Sequence, residues 1–230
     1  MVIGGVALAG EVEERIDWMK MYSSPEAAFG EVYESNHTGF KVRAYKYGYE
    51  ATPEYGSLIV INCGSHLTVG LVYYSEMLVA PGLQSIPVPM KASREQVKNR
   101  YPDLEDRLID TYHAISIGWY SNGHFYQSRP RRKPLIHDLA FIPSDEFIRE
   151  FHHHDGYFKA DYIPLVVHAL GTREFMFLAE AFFSSLAEKF SVDERVSLFK
   201  SISTSMARWG VDSNISLVLD RARKILLEGL

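Results

Sequence analysis

The sequence has a single cysteine, Cys63, no run of about 18 apolar residues, and no excess of positive charge. Each shortage excludes something. One cysteine forms no internal disulfide, which fits a reducing cytoplasm rather than a disulfide-built scaffold. Cys63 sits in "INCGSH", which reads as a turn between strands; a nucleophilic role needs a neighbouring base that the spacing does not supply. Without a long apolar run no membrane span is expected. The opening "MVIGGVALAG" is apolar but short, has no basic leader and runs into acidic "EVEER", so neither a signal peptide nor an anchor is expected there. Lys and Arg number 24 against 29 Asp and Glu, a formal net charge of −5. That balance argues against DNA binding by a globally basic surface, while leaving room for a local patch.

Nucleotide and hydrolase fingerprints are missing as well. There is no GxxxxGK[ST], so no P-loop; no GxGxxG, so no dinucleotide turn; no GxSxG, so no nucleophile elbow; and no HExxH zinc helix. No motif calls for a cofactor, and none is expected.

What is present reads as a folded chain. Of 230 residues, 47% are hydrophobic and 23% charged, enough for one large domain or two small ones with a sizeable core. Residues 1–28 form an N-terminal arm or a short helix, with Val12, Ile16 and Met19 at helical spacing. From Phe29 the texture turns to strands. "FGEVYES" ends in the turn cluster "NHTG". In "GFKVRAYKYGY", Phe40, Val42 and Ala44 fall on one face, and Lys41, Arg43 and Tyr45 on the other, the period-two signature of a half-buried strand. "SLIVIN" is a more continuously apolar strand, and "LTVGLVYYSEM" follows it. Four strands within about 50 residues is the spacing of a small barrel or sandwich. Gly70 inside a strand marks a bend or bulge.

"APGLQSIPVPM" is a connector. Ser93 opens a capping box, "SREQ", and a helical stretch. "DLEDRLIDTYHA" is expected to continue it, with Leu104, Leu108 and Tyr112 on one stripe. "ISIGWY", the Asn-Gly signal at 122–123 and "FYQ" form a hairpin. After Pro143 the pattern is helical. Ser144 caps a helix expected to run to Gly156. Three further amphipathic helices follow, carrying Phe175, Ala179, Phe182, Leu186 and Phe190, then Val192, Val196, Phe199, Ile202 and Met206, then Ile215, Val218, Ala222 and Ile225. The expected fold class is α+β: a small antiparallel β-barrel with a helical insertion over 29–143, followed by a C-terminal α-helical bundle over 144–230.

Two stretches carry candidate chemistry. "FHHHD" offers imidazoles, yet neighbours on a helix point about 100° apart and cannot all face one ion. At a helix end, positively charged histidines interact favourably with the last carbonyls instead. The metal alternative, a metal-dependent hydrolase or nuclease, draws on His137, Asp138, His152, His154 and His168. "RPRRKPLIHD" puts Arg129, Arg131, Arg132 and Lys133 in a proline-stiffened loop, where phosphates dock if Tyr45 and Tyr47 offer stacking faces. In "IHD", adjacent residues of an extended strand point to opposite faces, so His137 and Asp138 do not make a dyad.

"GEVYES", "GFKVRAY", "YGSLIVI" and "VGLVYY", in that order, resemble the HAS-barrel, the small β-barrel shared by HerA-type DNA-translocating ATPases and subunits of rotary ATP synthases. "NRYPDLEDRLIDTYHAISIGWY" followed by "RPRRKPLIHDLAF" is similar to stand-alone members without the ATPase core. The resemblance covers about residues 29–143 well and the helical tail loosely. Gly30, Gly56 and Gly70 match structural positions, and no ATPase residue has a counterpart. It implies a non-catalytic platform that self-associates or docks a protein partner, such as a ring ATPase or nuclease, in DNA processing, with nucleic acid as a further partner and no membrane.

Overall fold

The computed structural model describes residues 16–46, 52–79, 91–103, 108–154, 156–209 and 215–228. The connector at 80–90, Val12, Tyr47 and Leu104 lie outside them. The strands are β1 (Gly30–Ser35), β2 (Gly39–Ala44), β3 (Leu58–Asn62), β4 (Leu67–Val79), β5 (Leu108–Ser121), β6 (His124–Tyr126) and β7 (Leu139–Phe141). They pair in the order β2-β1-β7-β3-β4-β5, and β5 pairs back onto β2, so six antiparallel strands close a barrel. β6 adds to β5 as a hairpin outside the closure. Its turn has Asn122 at φ 51° and Gly123 at φ 78°, the conformation that an Asn-Gly pair favours.

Burial explains the sequence texture. Phe40, Val42, Ile59, Ile61, Val72, Tyr112, Ala114 and Ala140 fill the barrel interior. Outward from β1 and β2 stand Glu31, Lys41 and Arg43, so those strands alternate. Outward from β3 and β4 stand Leu58, Val60, Leu67, Val69 and Leu71, which join a second apolar cluster with the helices. β3 is therefore buried on both faces and reads as a continuous apolar run. Closure needs sharp bending, and the pairing register shifts at Val32/Glu34, Val69/Gly70 and Val72/Tyr74. Gly70 suits its place because a Cβ there would lie 2.4 Å from the Phe40 ring.

The expected helix over "DLEDRLIDTYHA" is overturned from Leu108 onward, where β5 begins. Thr111 pairs with Arg43 of β2 and Glu76 of β4, and Tyr112 with Val42 and Ser75. The stretch fits i, i+4 and i, i+2 spacing alike, and the two neighbouring strands decide it. The capping box upstream is present as expected. Ser93 Oγ accepts from Gln96 N at 3.3 Å and Gln96 Oε1 accepts from Ser93 N at 2.9 Å, opening helix α2 (Arg94–Arg100).

The first described residues form a short helix, α1 (Trp18–Met21). Trp18 is fully buried, its Nε1–H donates to Glu150 Oε2 at 2.8 Å, and its ring meets Phe147 edge-on. The C-terminal helices are α3 (Asp145–His152), α4 (Ile163–Leu170), α5 (Thr172–Lys189), α6 (Val192–Arg208) and α7 (Ile215–Arg223), which runs into a π turn at Lys224–Glu228. Ser144 and Ser191 cap α3 and α6 as their sequence signals predict. The helices press Phe175, Phe182, Phe183 and Ile202 into the same cluster as Leu58, Val69 and Ile117 of the barrel wall. Among the described residues no helix is long and apolar enough to cross a membrane.

Candidate functional site

Between β6 and β7 the chain makes an exposed excursion. Arg129, Arg131, Arg132 and Lys133 are exposed, while Pro130 within the run and Pro134 after it are buried and anchor the path. Next, Leu135 and Ile136 stand 63% and 60% exposed. Burying each such side chain contributes about 1.5–3 kcal/mol. Two adjacent aliphatics left in water therefore forgo several kcal/mol that a contact surface would recover.

The loop is held firmly in that pose. Leu135 N donates to Asp138 Oδ2 at 2.7 Å, and Asp138 N donates back to the Leu135 carbonyl at 3.1 Å. His137 N donates to the Val32 carbonyl at 2.8 Å, and Val32 N to the Asp138 carbonyl at 2.9 Å. Ser35 Oγ donates to the Pro134 carbonyl, and Lys133 Nζ to the Ser35 carbonyl at 3.2 Å. His137 has φ 72°, a left-handed backbone that a β-carbon disfavours by roughly 1–3 kcal/mol and that persists only where its surroundings dictate it. Its Nδ1 lies 3.1 Å from Glu31 Oε2. The side chains of Leu135 and Ile136 thus project from an ordered turn.

Charge surrounds the apolar tip on one side. Among the described residues the three arginines have no ion-pair partner. Arg132 lies near His66 of the β3–β4 turn, where burial pushes the imidazole pKa down against a raising hydrogen bond to the Arg132 backbone. Tyr45 is 52% exposed at the end of β2, near enough to Glu31 for that carboxylate to add to burial in raising its pKa. Tyr47 lies outside the described residues.

The five residues of the metal alternative occupy different settings. His137 faces Glu31, and Asp138 closes the loop turn. His168 is exposed in the last turn of α4. The helix expected to run to Gly156 ends at His152, and His153–His154 form a strand, β8, paired with β9 (Tyr157–Phe158). The histidines therefore do not close the helix together. His152 is fully buried and turns inward. Its Nδ1–H donates to the Ile148 carbonyl at 2.7 Å, and its Nε2 accepts from the Tyr162 hydroxyl at 2.7 Å. Burial pushes its pKa down to about 4, so a neutral ring, and not the expected positive charge, meets the helix's last carbonyls. Among the described residues no three His, Cys, Asp or Glu side chains are grouped as a metal site.

Sequence reasoning marked the cations of this loop and passed over its apolar tip. The signal was there: "LI" between a proline and "HD" belongs to no period-two or period-3.6 pattern, so neither residue has an element to bury it. No protein-family model matches the chain, and no curated protein matches it.

Proposed function

We propose that this protein is a non-catalytic assembly module that docks a protein partner through the Arg129–Asp138 loop. The observation that supports the reading is the exposed Leu135–Ile136 pair, held by backbone bonds to β1 and flanked by unpaired cations. An apolar centre with a charged rim is the anatomy of a protein interface. The partner surface it fits is a shallow apolar pocket bordered by carboxylates. The resemblance of the barrel strands to the HAS-barrel gives the setting we infer: a cytoplasmic platform in DNA processing, serving a ring ATPase, a nuclease or further copies of itself.

Light scattering across a concentration series tests the self-association arm. Wild type that assembles, alongside a Leu135→Asp/Ile136→Asp variant that stays monomeric, supports docking between copies. Assembly that survives the double substitution removes the loop from that role.

Nucleic acid is the second reading, favoured by Arg129, Arg131, Arg132 and Lys133 alone. Binding to single- or double-stranded DNA that weakens steeply with salt, and is abolished by Arg131→Glu with Arg132→Glu, supports it. Phosphates do not account for Leu135 and Ile136, and that is why the protein-partner reading stands first.

A further inference from the structure

A separate cleft of about 420 Å³ opens where β6 faces the β8–β9 hairpin. We propose that it binds a small phosphate monoester carrying a flat ring, a ligand of nucleoside monophosphate type. Its volume lies within the range of small-molecule sites and exceeds what a bare inorganic anion fills.

One amide builds the floor. Gln127 Nε2 donates to the carbonyls of Phe151 and Lys159, each at 2.9 Å, and its Oε1 accepts from Asp161 N at 2.7 Å. The end of β6, the end of α3 and the approach to α4 are thereby riveted together, so the cleft is preformed.

The lining combines aromatic faces with nitrogen donors. Tyr126 lies parallel on Trp119 with centroids 4.1 Å apart and planes 14° apart, yet stays 40% exposed, so its open face is the one opposite Trp119. Phe125 and Phe151 supply apolar surface beneath. Such faces stack flat rings without regard to ring identity. His124, His153 and Lys159 also line the cleft, and among the described residues these imidazoles and this ammonium have no hydrogen-bond or ion-pair partner. His153 is steadied by an edge contact to Phe158 at 5.4 Å. The one acid in the lining, Asp161, has an oxygen occupied by the Ser205 hydroxyl at 2.5 Å. Lys159 brings three N–H donors and each of these two imidazoles at least one, and a phosphate gives oxygens to several donors at once.

The test titrates adenosine 5′-monophosphate, adenosine and inorganic phosphate separately into the intact protein. Histidine ring NMR signals and tryptophan fluorescence are the readouts. Adenosine 5′-monophosphate is expected to saturate shifts at His124 and His153, with adenosine and phosphate each at least about tenfold weaker. Lys159→Gln with His153→Gln is expected to weaken the monophosphate at least about tenfold at an unchanged melting temperature, and Tyr126→Leu to bring its affinity towards that of phosphate. Should the paired variant fail to fold, Lys159→Gln alone carries the comparison. No saturable shift at millimolar monophosphate, equal affinity in the variant, or phosphate alone binding as tightly would overturn the proposal. The cleft and the loop are tested by different probes, so neither result decides the other.

Discussion

At residue scale, both nitrogens of His152 are committed: one donates to a carbonyl, the other accepts from a hydroxyl. Burial without a neighbouring carboxylate keeps the imidazole neutral in this arrangement. In the unfolded chain the ring takes up a proton near pH 6.5; folded, it does so only near 4. The unfolded state therefore binds more protons between those values, and stability is lost as pH falls through that window. The loss reaches about 3 kcal/mol by pH 4, and urea melts at steps from pH 7 to 4 measure it. Tyr162→Phe strips the Nε2 of its donor and is expected to cost about 1–3 kcal/mol at pH 7 in the same assay. The sequence shows three adjacent histidines and cannot show which one turns inward, because that depends on where α3 stops. Cys63 behaves similarly: burial pushes its thiol up to about 12, with Thr68 hydrogen-bonding and Asp138 nearby. The thiolate is the reactive form, so a disulfide-exchange reagent at pH 8 is expected to leave Cys63 untouched in folded protein and to label it quickly in denaturant.

At the scale of elements, legibility followed how many faces are wet. β1 and β2 have one polar face, and their alternation is plain in "GFKVRA". Ser93, Ser144, Ser191 and Asn122–Gly123 announce their caps and turn because that chemistry is local. The first half of β5 was misread as helix because its pairing with β2 and β4 is remote in sequence. Gly118 in that strand shows how remote packing reaches back to one residue. A Cβ there would lie 2.5 Å from the Phe151 ring and 2.6 Å from the Tyr126 carbonyl. Gly118→Ala is expected to destabilise by about 1–3 kcal/mol in denaturant melts, through forced displacement of Phe151 from the hairpin.

For the whole molecule, the barrel and helical tail were legible as a class, while the strand order was not. β7 enters between β1 and β3 although about 75 residues of chain separate it from β3 in sequence. Nothing local in "LAF" announces that position. Nor did the sequence say that the helices would lie against the outward faces of β3 and β4, although Leu58 and Val60 left those faces without a polar residue. The loop before β7 was half visible: its cations stood out, its aliphatics did not. Because Leu135 and Ile136 are exposed, replacing both with aspartate is expected to shift folding stability by only about 0.5 kcal/mol each, so any loss of contact is readable without unfolding.

Affinity purification from the native host, with wild type and the Leu135→Asp/Ile136→Asp variant compared quantitatively, tests docking most directly. A partner retained in near-stoichiometric amount by wild type and reduced at least about tenfold by the variant is the predicted result. Equal recovery by both proteins would contradict the account.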